Sequence, residues 1–392
     1  MTEVFIIGAK RTPLGSFGGV FKNTSATDLG ATAMKAALIQ SGVPDQEIDE
    51  VLFGNVVSAN LGQGPARQSA LQAGVPNSVP ATTLNKLCAS GMKATMFAAQ
   101  SIQLGQNHVV IAGGMENMTR IPFYLDKARN GYGYGNDTLI DGLYRDGLQD
   151  AYALNPMGCF ADATARKHEI SREKQDTYAI QSYKRAAAAW ANGVLKNEVC
   201  PVELKDRKGN VTNIEEDEEY KKVFFDKIPN LRPVFEKEGT VTAANASTIN
   251  DGAAALVLAS KSYVEQNNIK PLARIVAYAD AAQEPAWFTT APIIATDKVL
   301  KIAGMELSEM ELFEVNEAFS VVPLAYAKHF GISQEIMNIH GGAVSLGHPL
   351  GCSGARILVT LLNALATKNA KYGMAAICNG GGGASAMIVE RL

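Results

Sequence analysis

Apolar residues recur along this chain in two rhythms. One is the short continuous run of a buried strand; the other is the three-to-four spacing of a helix packed on one side. Val4 to Gly8 is the first run, ended by glycine. Asp28 to Gln40 carries alanines and leucines at helical spacing and stops at Ser41-Gly42-Val43-Pro44, a helix-ending signal. Val51 to Val57 reads as the next strand. Ser90 to Leu104 reads as a helix of small residues ending at Gly105, and His108 to Ala112 as a strand closed by Gly113-Gly114. This alternation predicts an α/β fold with a sheet covered on both faces.

After Met118 the rhythm breaks. To about Val241 the chain is more polar, and Glu215-Glu216-Asp217-Glu218-Glu219 followed by Lys221-Lys222 reads as surface. Strand character returns at Asn250 to Ser260 and Ala273 to Ala279. A helix follows at Ala291 to Ala303, another at Ser353 to Leu365, and a strand at Ala375 to Cys378. Ser90-Gly91, helix, strand, Gly113-Gly114 matches Ser353-Gly354, helix, strand, Gly380-Gly381 in order and nearly in length. This is an internal duplication of pattern, with coincidence between two common α/β units as the alternative. The expected organisation is a first half from 1–118 plus 250–270, an inserted domain over 119–249, and a second half over 271–392.

Composition narrows the function. The chain's 392 residues, 47% apolar and 19% charged, suit two core domains and an insertion. A net charge of -3 without a basic tract gives no footprint for nucleic acid. No window reaches the roughly 18 consecutive apolar residues of a membrane span. Five scattered cysteines, none in a CxxC pair, argue against a disulfide framework and for a reducing compartment. The expected location is cytoplasmic, with the mitochondrial matrix as the alternative if a presequence has been removed.

The chemistry-bearing residues sit where glycines cluster. Cys88 directly precedes the Ser90 helix, whose positive end is expected to lower the thiol's pKa; taken alone, such a cysteine is more often a packing residue. His348 lies in Gly341-Gly342-Ala343-Val344-Ser345-Leu346-Gly347-His348-Pro349, where glycines admit a close ligand and an imidazole can serve as base; an exposed turn histidine is the alternative. Cys378 ends a strand before Gly380 to Gly383, whose backbone N–H groups can form an oxyanion hole. Asn316 precedes Glu317-Ala318-Phe319 and by itself reads as a helix cap.

Together, Cys88-Ala89-Ser90, Asn316-Glu317-Ala318-Phe319, Gly347-His348-Pro349 and Cys378-Asn379-Gly380 resemble the four active-site loops of the thiolases, in order and spacing. Thr240 to Asp251 is most similar to acetoacetyl-CoA thiolases of the mitochondrial type. The resemblance implies two α/β halves in a layered αβαβα core with an inserted loop domain. It also implies reversible condensation of two acetyl-CoA to acetoacetyl-CoA and CoA. Cys88 would become the acetyl-enzyme, His348 would activate it, and Cys378 would deprotonate the second acetyl-CoA. One oxyanion site would lie between His348 and a water on Asn316, another at the N–H groups of Cys88 and Gly380.

By the same resemblance Ser247, Met157, Leu148 and Phe235 would line the pantetheine of coenzyme A. Lys222 and Lys227 would lie near its nucleotide, and Ala318 and Phe319 would wall the acyl pocket. The lysines equally fit a solvated surface. Tyr183, Ala243, Ala244, Ala246 and Val344 match a potassium site, the last four through carbonyl oxygens. No cofactor is expected for catalysis, and the assembly implied is a homotetramer. Two departures stand out: Pro156-Met157-Gly158 and Leu350-Gly351-Cys352 are more similar to degradative 3-ketoacyl-CoA thiolases, which are the first alternative. A non-catalytic acyl-CoA or lipid carrier is the second. A ketosynthase fits poorly, because the Cys378 loop stands where that class carries histidine or asparagine.

Overall fold

A computed structural model describes residues 2–392. Its first half comprises β1 (Val4–Arg11), α1 (Ala26–Ser41), β2 (Glu50–Gly54), α2 (Pro65–Gln72), β3 (Ala81–Leu84), α3 (Ser90–Gln103) and β4 (Val109–Asn117). The inserted stretch carries α4 (Met157–Lys167) and α5 (Arg172–Ala191). The main sheet resumes with β5 (Asn250–Ser260) and β6 (Ala273–Ala282). It is followed by α6 (Ala291–Ala303), β7 (Leu312–Val315), α7 (Val321–Phe330), α8 (Leu350–Lys368), β8 (Tyr372–Asn379) and β9 (Gly383–Arg391).

The strands run in the order β7-β8-β9-β6-β1-β5-β4-β2-β3, with the short strand Gly15–Ser16 added beside β5. The two halves repeat one plan. In each, a parallel pair (β2 with β4, β7 with β8) continues into antiparallel partners (β4-β5-β1, β8-β9-β6). Within the sheet the halves are joined by the pairs Val4–Ile275, Phe5–Arg274 and Ile6–Ala273. The α3–β4 and α8–β8 units hold equivalent places, as the repeated sequence pattern predicted.

Strand alternation sorts side chains between layers. Ala254, Leu256 and Leu258 of β5 pack on α3 and α8, while Ala253, Ala255 and Val257 pack on α1. Ala375 and Ile377 of β8 face the same central helices, and Met374, Ala376 and Cys378 face α6 and α7. The result is helix, sheet, helix, sheet, helix. Among the described residues α8 alone is long and apolar enough to cross a membrane, and 83% of that window is buried inside the protein; it is a core helix.

The central helices meet at their first turns. A Cβ on Gly91 would lie 2.8 Å from the Ala355 nitrogen, and one on Gly354 would lie 2.5 Å from the Met92 nitrogen. Only glycine lets the backbones approach so closely. This contact corrects two sequence expectations. The second helix begins at Leu350 rather than Ser353, capped by Pro349. The strand expected to end at Gly113-Gly114 runs on to Asn117, because those glycines are not a turn. A Cβ on Gly114 would sit 1.9 Å from the Gly351 carbonyl oxygen. A third correction concerns Val51 to Val57: pairing ends at Gly54, and Asn55 to Val57 bend away to bond Glu116.

The inserted stretch is tied down by a buried guanidinium. Arg11 pairs with Glu198 at 2.6 Å and with Asp217 at 2.7 Å, and the Trp190 indole donates to Asp217 at 3.0 Å. Every charge in this cluster is partnered, which burial demands.

Gly114→Ala is expected to lower stability by roughly 1–3 kcal/mol, the usual cost of overpacking, and to lower activity with it by displacing Gly351. Thermal unfolding and turnover check this, with Gly133→Ala as control, since a Cβ there meets nothing within 4 Å.

Candidate active site

Each sequence-flagged loop arrives from a different element. Cys88 lies just ahead of α3, after Leu87, whose φ of 50° is a strained left-handed conformation. Asn316 leaves the end of β7, its N–H bonded to the Ala376 carbonyl at 2.9 Å. His348 follows Gly347, which has φ 123°, and its N–H donates to the Asn250 side chain at 3.0 Å. Gly380 follows β8, one residue after Asn379.

Cys88, His348, Gly380, Ser247, Met157, Leu148, Ala318 and Phe319 line one cavity of about 500 Å3. Met157, Leu148, Ser247, Phe319 and His348 also line a second of about 570 Å3, which adds Phe235, Lys222, Ala243 and Ala246. A third, of about 220 Å3, shares Lys222 and Ala243 with it and brings in Lys227, Tyr183 and Ala244. The three form one path from the thiol to the surface lysines. Cys378, Asn316 and Val344 line none of them. Cys378 is fully buried, Asn316 is 1% exposed, and Val344 packs with Tyr183 and Ala179.

The histidine's proton can be placed. The Ser353 hydroxyl donates to the Pro349 carbonyl at 2.8 Å, and a carbonyl can only accept. Ser353 Oγ therefore accepts from His348 Nδ1 at 2.6 Å. This leaves Nε2 with its lone pair free, and Nε2 is buried without a protein partner. Burial, reinforced by the Arg356 charge, pushes the imidazole down to about 3, so the ring is neutral near pH 7. The Asn316 amide is oriented the same way. Arg356 can only donate, so the atom facing it at 3.5 Å is Oδ1, and Nδ2 is the buried, unpartnered end.

The thiols depart from the sequence expectation. Cys88 is reached through the cavity, but burial outweighs the help of nearby N–H groups, including that of Gly380, and pushes the thiol up to about 11. A helix end does not make it a standing thiolate. Cys378 is pushed well up, by burial first and by the Cys88 sulfur second. The resting centre is therefore neutral throughout, with two thiols and one unprotonated imidazole.

Sequence reading missed the residues that brace these groups. Glu116 accepts from Val56 N at 2.9 Å, Val57 N at 3.2 Å, Asn55 Nδ2 at 3.0 Å and Gly351 N at 2.9 Å. It thus joins the cavity wall at 55–57 to the first turn of α8. Its carboxyl is pushed up to about 7 by burial. Ser353 and Asn250 likewise brace His348. A serine five positions beyond a histidine, with a helix starting between, was the available signal.

The carbonyl oxygens of Ala243, Ala244, Ala246 and Val344 accept no hydrogen bond among the described residues. Ala244, Ala246 and Val344 are buried residues and Ala243 is exposed; carbonyl oxygens are the donors a hard cation takes.

Comparison with known proteins decides the lineage. The model for the thiolase N-terminal domain matches residues 4–262, and that for the thiolase C-terminal domain matches 269–391. The chain belongs to the thiolase family. A probable acetyl-CoA acetyltransferase of Dictyostelium discoideum is 52% identical over all of this chain and 95% of its own length. The mitochondrial acetyl-CoA acetyltransferase of Mus musculus is 50% identical over all of this chain and 92% of its own length. The crystal structure of the Acat5 thiolase from Ascaris suum, in complex with coenzyme A, superposes with a TM-score of 0.95 at 45% identity, covering both chains in full. The thiolase fold and the family expected from the four loops are thereby established.

The buried imidazole has a consequence for acid stability. An unfolded histidine titrates near 6.5 and His348 near 3, so the unfolded chain binds the extra proton between those values. His348 then contributes stability that is complete above pH 6.5 and lost as pH falls toward 3. The loss has a slope of up to about 1.4 kcal/mol per pH unit. Urea unfolding between pH 4 and 7 is expected to show a shallower slope for His348→Asn than for the wild type.

Proposed function

We propose that this thiolase is an acetyl-CoA C-acetyltransferase, condensing two acetyl-CoA to acetoacetyl-CoA and CoA and reversing the reaction when CoA is plentiful. The observation that carries it is the meeting of Cys88, the free Nε2 of His348 and the Gly380 backbone on one cavity. Relatives that match the chain over its whole length bear that activity in their names.

The neutral resting centre supports a balanced cycle. The Cys88 proton passes to His348 Nε2 as the sulfur attacks the acetyl carbonyl. The N–H groups of Cys88 and Gly380 hold the oxyanion. The C–S bond to CoA breaks, and Cys378 gives its proton to the departing CoA sulfur. The Cys378 thiolate then removes an α-proton from the second acetyl-CoA, whose enolate oxygen is held at His348 and a water on Asn316 Nδ2. The carbanion attacks the acetyl on Cys88. That C–S bond breaks, and His348 returns the first proton to sulfur. Every group ends as it began. Because both thiols sit high, each becomes a thiolate only when a substrate takes part in the proton transfer.

Coenzyme A would run along the connected cavities. Its pantetheine would lie against Ser247, Met157, Leu148 and Phe235, its nucleotide near Lys222 and Lys227, and its acyl group against Ala318 and Phe319. Potassium would be held by Tyr183 and the carbonyls of Ala243, Ala244, Ala246 and Val344, where it would supply a fixed positive charge bracing the loop beneath Ser247. A homotetramer belongs to this reading. Support comes from exposed apolar side chains at Phe123, Leu125, Tyr132, Tyr134 and Leu139, more than a monomer's surface needs. The inserted domain over 119–249 then serves both CoA and assembly. A cytoplasmic location suits five free cysteines, although relatives include one named cytosolic and one mitochondrial.

Chain length tests the reading, because Pro156 also lines the path. Acetoacetyl-CoA should be cleaved with CoA at least about tenfold faster than a 3-ketoacyl-CoA of about twelve carbons. Incubation with acetyl-CoA alone should add one acetyl group to Cys88, seen by peptide mass spectrometry. Faster cleavage of the long chain would move the protein to the degradative branch. An inert Cys88 with no cleavage of either would make it a carrier.

A further inference from the structure

Two positions before Cys88, a lysine ties the nucleophile's loop to the other thiol's loop. Lys86 Nζ donates to Asp280 Oδ1 at 2.9 Å, Ser385 Oγ at 2.8 Å, Ala384 O at 3.1 Å and Asn379 Oδ1 at 3.3 Å. Asn379 directly follows Cys378. Asp280 lies on β6 and Ser385 on β9, so the ammonium belongs to the first half and all its partners to the second. The cluster is cross-braced. Lys93 of α3 bonds Asp280 Oδ2 at 2.6 Å, the Ser385 hydroxyl bonds Asp280 Oδ1 at 2.6 Å, and Lys298 reaches the Asp280 carbonyl at 2.9 Å.

The bonding exceeds what a surface lysine makes. The Lys86 side chain is 25% exposed and that of Asp280 31%. Burial pushes the Asp280 carboxyl up, but Lys93, Ser385 and Lys86 outweigh it and hold it at about 2; it stays ionised. The segment between Lys86 and Cys88 also needs an anchor. Leu87 is left-handed, its N–H bonds back to Asn85 at 2.9 Å, and the Lys86 N–H bonds the Ser90 hydroxyl at 2.8 Å. Lys86 thus secures the upstream end of a strained turn whose downstream end is α3.

We propose that Lys86 is a positioning residue that sets the separation of the Cys88 and Cys378 sulfurs by binding the loop of one to Asn379, Asp280 and Ser385 beside the other. This rests on the condensation reading above, in which both sulfurs serve one reacting pair. A misplacement near 1 Å in such a pair can cost on the order of a hundredfold in rate. None of Lys86, Asp280, Asn379 and Ser385 lines the three connected cavities, and in the proposed cycle the attack by Cys88 draws on His348, not on this cluster.

The test separates those quantities in the full-length protein. Lys86→Met should lower kcat for acetoacetyl-CoA thiolysis at least about tenfold. KM and the rate of Cys88 alkylation by iodoacetamide should stay within about threefold of wild type. Asn379→Ala should lower kcat in the same pattern. The double variant should fall no further than about threefold below Lys86→Met, since both cut one tether. Alkylation falling in step with kcat would mean a generally loosened loop and would overturn the proposal, as would unchanged kcat. If Lys86→Met does not fold, Ser385→Ala and Asn379→Ala are judged by the same split. Wild-type protein without thiolysis would count against the condensation reading itself, not against the tether.

Discussion

Everything at this centre depends on the contact between the first turns of α3 and α8. Gly91 and Gly354 bring the two backbones within the reach of a single missing methyl group. Cys88 stands immediately before one helix and His348 immediately before the other. The crossing therefore delivers the Cys88 thiol and the His348 imidazole to one cavity without a long loop to hold either. The same packing pushes Gly351 onto Gly114 and aims its N–H at Glu116, so the sheet, the α8 turn and the cavity wall at 55–57 are locked by one carboxylate. Burying that carboxylate is costly; four donors make it tolerable.

Burial, more than helix polarity, decides the protonation states. A helix N-terminus stabilises a nearby charge by about 0.3–2 kcal/mol, whereas full desolvation moves a group by several pKa units. Here desolvation raises both thiols and lowers the imidazole. All three shifts favour the uncharged form. An ion pair between Cys88 and His348 would be stable in the free protein only if the site were wetter. Burial of these groups postpones charge separation until the thioester carbonyl can accept it, which is when the oxyanion donors become useful.

The sequence was most legible where function constrains spacing. The helix start after Cys88 and the glycines around His348 and after Cys378 marked loops that meet at the cavity, and strand–helix alternation marked the layers. It was least legible where the constraint comes from a distant segment. Gly113-Gly114 read as a strand end because nothing nearby shows that Gly351 presses on it. Leu350-Gly351-Cys352 read as loop because glycine after proline is a poor helix start, except where a second helix occupies the space a side chain would fill. Nothing in the neighbouring sequence marks Lys86, since its partners lie about two hundred to three hundred positions away. Cys88 was expected to be acidic because the helix is visible in sequence and the depth of burial is not.

Two buried thiols are an expensive arrangement unless each spends most of its time protonated, and that requirement explains the rest of the design. A single thiol could form the acetyl-enzyme but could not also hold the proton that the second acetyl-CoA must lose. In the proposed cycle the roles are split, so that one sulfur's proton leaves with CoA while the other's waits on His348, and the net charge of the site changes by little at any moment. Cys88 raises the Cys378 thiol through its own charge, so the two cannot ionise freely together; like charges at close range oppose each other. Ionisation must therefore alternate, thiolate at one sulfur while the other is acylated or protonated. In the proposed cycle an acetyl group on Cys88 would remove its charge, the condition under which Cys378 could become a base. The proposed order of steps is the one that this repulsion favours.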